Sequence, residues 1–219
     1  QREVRRLHER IFYHPLLSAV ARLSDSEVRL TPEAARERLS ALGFRDPHGA
    51  LRHLEALTDG LSRRAAIQRQ LLPVMLGWFA DEADPDAGLL AFRKISDELG
   101  TTPWYLRLLR DEGSAAERLA HTLARSRFAA GLLEQAPECV QFLGDAAGLR
   151  PRAREDVLRR MRSAAGRKDD PASAVLAART IRRSELFRVA VADLSGLLTL
   201  DGLGTALTDL TSALPEVTL

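Results

Sequence analysis

Asparagine is absent from this 219-residue chain, and cysteine and lysine are nearly so. Without Asn there is no N-glycosylation acceptor. The lone Cys139 cannot close an internal disulfide, which fits a reducing cytoplasm. Aromatics make up only 5% of residues, so the core must be built mainly from Leu, Ala and Val. That suits close helix packing better than a β-sandwich. No apolar run approaches the roughly 18–20 residues of a membrane span. The opening QREVRRLHER lacks both an initiator Met and the apolar stretch of a signal peptide, so the chain reads as a piece of a longer protein. No segment alternates with period two long enough to suggest a sheet, and no self-similarity of roughly 33–47 residues suggests a solenoid.

Charge of one sign is also missing. Lys and Arg number 32 against 30 Asp and Glu, and the two signs are interleaved. The bases are almost all Arg, with Lys94 and Lys168 the only lysines, as a GC-rich genome would encode. A phosphate-binding surface needs an unbalanced basic patch, so nucleic-acid binding ranks last among the functions considered. With 45% apolar and 28% charged residues, the composition is that of a globular protein with a sizeable core, in one large or two modest domains.

What is present is a chain of capped helices, organised around Gly60–Leu119. Leu71–Ala80 is apolar on nearly every side, the mark of a helix inside a core. Pro73 should kink it or start a new helix. Three shorter amphipathic helices follow, with buried stripes at Leu89/Phe92/Ile95/Leu99, Trp104/Tyr105/Leu108/Leu109 and Ala116/Leu119/Ala120/Leu123. Five helix starts are marked by a cap residue and a proline: Thr31-Pro32, Asp46-Pro47, Asp84-Pro85, Thr102-Pro103 and Asp170-Pro171. The cap side chain accepts from an orphan N–H of the first turn, and Pro gives up a donor that had no partner.

The remaining helices are expected at Glu3–His14 (bending at His14-Pro15 or continuing to Ala21), Pro32–Leu42, Pro47–Leu57, Ser126–Gln135, Pro137–Leu143, Glu155–Ala165, Pro171–Leu197 and Leu200–Leu214. Gly43 and Gly60 suit left-handed caps, and Gly144–Arg154 reads as a linker. The fold class is all-α: a multi-helix bundle, in one piece or two helical subdomains.

Candidate sites are few. His8, His14, His48, His53 and His121 form no HExxH pair, and Cys139 has no cysteine partner, so no metal site is assigned. There is no G-x-S-x-G elbow, and Cys139 reads as a small buried apolar residue. Gly202-Leu203-Gly204 lacks the third glycine and preceding strand of a dinucleotide fingerprint, and no Gly-Lys-Ser/Thr follows Gly60–Arg64. Arg63, Arg64 and Arg69 suit an anion-binding surface or, more simply, a solvated helix face with buried stems. Trp104-Tyr105 suits a ligand wall or a core anchor. Asp81–Asp86 (DEADPD) suits a divalent ion or, more simply, a solvated turn with Asp84 as helix cap.

LFRVAVADLSGL, Leu186–Leu197, resembles the "LRIA…DLLG" helix of the glutamine synthetase adenylyltransferase family, also called glutamate-ammonia-ligase adenylyltransferase/adenylyl-removing enzyme. The run from Ser62 to Ala120, SRRAAIQRQLLPVMLGWFADEADPDAGLLAFRKISDELGTTPWYLRLLRDEGSAAERLA, resembles its central region in the actinobacterial style. IFYHPLLSAVARL and ALGFRDPHGALRHLEALTDG resemble helices joining the first catalytic domain to that centre. The family's plan implies two nucleotidyltransferase domains of the DNA polymerase β type, one moving AMP from ATP to a tyrosine of glutamine synthetase and one removing it. Each is marked by G-S-x-D-x-D, whose carboxylates hold Mg²⁺.

This sequence contains no G-S-x-D-x-D, so no catalytic, cofactor-binding or metal-ligating residue is carried over. The resemblance implies that residues 1–60 follow the first catalytic domain, 61–145 form a central bundle, and 146–219 lead into the second. It implies a cytoplasmic parent using ATP and Mg²⁺, with glutamine synthetase and a PII-type signal protein as partners. The rival expectation is a free-standing helical interaction module unrelated to nucleotide transfer.

Overall fold

The computed structural model describes residues 31–145 and 147–218, and of Thr218 the backbone alone. The helix expected within Glu3–Ala21, with His8 and His14, lies outside the described residues. All regular structure among those described is helical. The helices are α1 (Pro32–Ala41), α2 (Pro47–Thr58), α3 (Arg63–Ala80), α4 (Pro85–Leu99), α5 (Pro103–Asp111), α6 (Gly113–Arg125), α7 (Arg127–Gln135), α8 (Arg154–Ala165), α9 (Pro171–Leu194), α10 (Leu200–Ala213) and α11 (Pro215–Thr218). Two 3-10 segments, Pro137–Gly144 and Ala147–Leu149, lie between α7 and α8. Packing divides the chain into two compact units after Ala130.

In the first unit α3 is the central rod. It packs against α2, α4, α5 and α6, with Leu72, Met75, Leu76 and Phe79 fully buried. Side chains of this kind are worth about 1.5–3 kcal/mol each when fully buried. The rod is longer than the apolar run, because Ser62 Oγ accepts from Ala65 N–H and starts it at Arg63. It continues through Pro73, which neither breaks nor restarts it. Phe79 meets Phe92 of α4 at 6.3 Å. At Gly88, α4 comes so close to α6 that a Cβ would stand 2.7 Å from the Ala124 Cβ.

All five proline-marked starts are helix starts. Thr31, Asp46, Asp84 and Asp170 accept from the N–H three residues on. Thr102 makes no such bond; its hydroxyl donates backward to the Leu99 carbonyl at 2.6 Å. Helix α1 ends with Gly43 at φ +91°, while Gly43 and Phe44 N–H reach back to the Ser40 and Leu39 carbonyls. Gly60 is also left-handed, at φ +80°.

The second unit is built on the α8–α9 pair, with α10 and α11 against it. Val157, Leu158, Met161, Ala178, Val189, Ala206, Leu210 and Ala213 form its core. Three expectations change here. Helix α9 stops at Leu194 rather than Leu197, because Gly196 turns left-handed (φ +68°) and Leu197 N–H bonds the Ala192 carbonyl at 2.8 Å. The segment Pro137–Gly144 is 3-10 helix. The stretch read as a linker is packed: Leu149 within it is fully buried, and its Ala147–Leu149 turn touches α9.

Candidate functional site

The acidic turn between α3 and α4 is a densely bonded polar feature of the first unit. Glu82 is nearly buried; its carboxylate accepts from Arg125 Nε (2.9 Å) and Nη2 (2.7 Å) and lies 2.8 Å from His121 Nδ1. Asp84 caps α4 through Ala87 N–H and accepts from Arg127 Nη2 at 2.7 Å. The Arg127 hydrogen bond holds the Asp84 carboxyl below the usual range. Asp86 accepts from the backbone N–H groups of Arg45 (2.7 Å) and Asp46 (3.1 Å). Three carboxylates thus tie the turn to α6, to the start of α7 and to the α1–α2 connection.

Beside it lies a cleft of about 260 Å³ lined by Asp46, His53, Asp84, Asp86, Leu90 and Arg127, among others. Arg93 Nη1 donates to His53 Nδ1 at 3.0 Å. Partial burial and the Arg93 charge push the imidazole below its ordinary pKa. The carboxylates are committed to backbone N–H groups and Arg127, which is the work of holding helix ends. Among the described residues no group of three or more His, Cys, Asp or Glu is arranged for a metal ion.

The arginine triplet separates. Arg64 Nη1 donates to the Ser96 carbonyl (3.2 Å) and to Asp97 (3.3 Å), covering the C-terminal end of α4. Arg69 Nε donates to the Thr58 carbonyl (3.1 Å) and its Nη2 to the Gly60 carbonyl, doing the same for α2. Both place positive charge where a helix leaves carbonyls unpaired. Arg64 and Arg69 are partly buried against these helix ends, while Arg63 is exposed. Of the aromatic pair, Tyr105 is the core anchor, with its hydroxyl 2.9 Å from Ser96 Oγ. Burial pushes that phenol well above its ordinary range. Trp104 is half-buried and meets Tyr105 edge-on at 6.1 Å.

The second unit holds a buried ionic cluster that the sequence reading missed. Arg188 is nearly buried, donates from Nε to Glu185 (3.1 Å) and lies 4.1 Å over the Phe142 ring. Arg152 Nη1 pairs with the other Glu185 oxygen. Arg188 Nη2 has no hydrogen-bond partner among the described residues. Desolvation lowers the guanidinium's pKa against the pull of Glu185. A Glu three residues before an Arg, inside an otherwise apolar helical run, was the available signal. Cys139 is buried nearby, and burial pushes its thiol up.

Together these residues define an all-helical scaffold whose polar side chains tie helix ends to one another. Comparison with known proteins gives the family. The family model for glutamate-ammonia ligase adenylyltransferase matches residues 116–219. The bifunctional glutamine synthetase adenylyltransferase/adenylyl-removing enzyme of Streptomyces coelicolor is 59% identical, over 96% of this chain and 22% of the relative. Its counterpart in Cutibacterium acnes is 50% identical, over 99% of this chain and 22% of the relative. That of Corynebacterium glutamicum is 42% identical, over 90% and 19%. The chain belongs to the glutamine synthetase adenylyltransferase family. It spans about a fifth of the length of these relatives.

Proposed function

We propose that this chain is a helical connector and regulatory region of a bifunctional cytoplasmic enzyme that adenylylates and deadenylylates glutamine synthetase, and that it is itself non-catalytic. One observation carries the reading. Relatives named for both activities are matched over about a fifth of their length, by a chain with no G-S-x-D-x-D motif. In this reading residues 1–60 follow the first nucleotidyltransferase domain, 61–145 form the centre, and 146–219 lead into the second. ATP and Mg²⁺ belong to the catalytic domains, where two metal ions would clamp the attacking and leaving oxygens. Glutamine synthetase and a PII-type signal protein are the partners.

The geometry supports a positioning role. Arg64, Arg69, Glu82, Asp84 and Asp86 all hold the ends of one helix to another element. Such cross-ties resist sliding of packed helices and suit a part that fixes distances between active sites. The test is to incubate the 219-residue chain with ATP, Mg²⁺ and glutamine synthetase. No AMP should appear on the target tyrosine by mass spectrometry, whereas the intact enzyme modifies it. Turnover by the chain alone would overturn the proposal.

A further inference from the structure

The two signs, read above as interleaved, are segregated in the last third of the chain, which the near-neutral total conceals. Residues 150–188 carry twelve Lys and Arg against five Asp and Glu, a net charge of +7. Residues 189–219 carry four acids and no base. The basic segment is the α8–α9 pair with its flanks. Part of its charge is used internally: Arg154 and Arg162 face Glu216, Arg159 pairs with Asp156, and Arg152 and Arg188 share Glu185. Arg160, Arg167, Lys168, Arg179 and Arg182 form no ion pair among the described residues. Arg183, among the described residues, donates to the Gln135 carbonyl at 3.5 Å.

The first half of α9 is longer than the core needs. From Pro171 to Thr180 only Ala178 is buried. Ala172, Leu176, Arg179 and Arg183 recur at helical spacing on the side away from Ala178. Leu176 is 61% exposed. A large apolar side chain is thus exposed beside guanidinium groups that have no carboxylate partner among the described residues.

We propose that this face of α9 docks an acidic amphipathic segment of a partner protein, with carboxylates against Arg179 and Arg183 and an apolar side chain over Leu176. Charge complementarity names the sign of the partner. The leucine, and the absence of any aromatic but the buried Phe187 between residues 150 and 219, favour a polypeptide over a single nucleic-acid strand, which binds by stacking on exposed rings. The inference does not depend on the connector reading.

The experiment uses the 219-residue chain and three fluorescein-labelled ligands. These are a Glu/Leu peptide of about 20 residues with leucines at helical spacing, the same peptide with Lys for Glu, and a single-stranded DNA of similar length. Anisotropy is read at about 50 mM and about 300 mM salt. The Glu/Leu peptide should bind, more weakly at high salt, and the Lys/Leu peptide should not. Arg179→Glu/Arg183→Glu should weaken binding by about tenfold or more. The neutralising pair Arg179→Gln/Arg183→Gln, a milder change to the helix, should lose several-fold. Leu176→Ala should also weaken binding, and Arg63→Glu/Arg107→Glu in the first unit should leave it unchanged. Circular dichroism checks that each variant is folded. No binding of the Glu/Leu peptide, or binding indifferent to both Arg179/Arg183 pairs, would overturn the proposal. So would tighter binding of the DNA, or sedimentation showing that the face is covered by a second copy of the chain.

Discussion

Gly88 shows how much one residue can settle. A Cβ there would lie 2.7 Å from Ala124 Cβ and 2.9 Å from the Phe79 ring, so α4 and α6 sit closer than any larger residue permits. Gly88→Ala should cost about 1–3 kcal/mol by urea denaturation, despite Ala's better helix propensity. Leu76→Ala and Phe79→Ala should each cost on the order of 2–5 kcal/mol, since both side chains are fully buried. A loss below about half a kcal/mol would be out of keeping with that burial. His53 supplies a pH test. Burial and Arg93 favour its neutral form, so the folded chain takes up a proton less readily than the unfolded chain. Stability should therefore be full above the ordinary His pKa of about 6.5 and fall as pH drops below it. His53→Gln should flatten the difference between urea midpoints measured at about pH 7.5 and about pH 5.5. Leu76 and Phe79 were legible in the sequence because apolar residues on every side of a helix leave no solvent face. Gly88 was not, since a glycine in a helical pattern does not say which partner backbone comes near. Glu82 read as part of a solvated turn because its partners, His121 and Arg125, lie about forty positions away.

At the scale of elements, helix starts were far more legible than helix ends. A cap residue followed by Pro is a local device, and it marked five starts. Ends depend on where the chain goes next, as α9 shows by stopping three residues early at a left-handed Gly196. Two glycine substitutions should therefore act in opposite directions in thermal or urea unfolding. Gly196→Ala puts a side chain at φ +68° and should cost about 1–2 kcal/mol. Gly204→Ala, in the interior of α10 with open space around it, should add about 0.5–1 kcal/mol. Pro73 starts no new helix but lies inside α3. Its missing N–H removes one bond to the Arg69 carbonyl, but apolar packing holds the helix on both sides of it. Arg64 and Arg69 carried no local sign of capping duty, because the carbonyls they cover belong to other helices.

At the scale of the whole molecule, the all-α class followed from punctuation and sparse aromatics, and the family from long stretches of resemblance. Two helical subdomains were among the alternatives read from the sequence, but the boundary after Ala130 was not legible, and the residues 144–154 that look like a joint contain a buried leucine. The segregation of charge escaped a total taken over the full length. One further feature reaches beyond fold and family. Trp78 and Trp104 both belong to the first unit, while the sealed thiol of Cys139 belongs to the second. Each half of the chain therefore carries its own reporter. Indole emission should follow melting of the first half alone. Alkylation of the thiol, negligible while the second half stays shut, should proceed at a rate that counts its spontaneous openings.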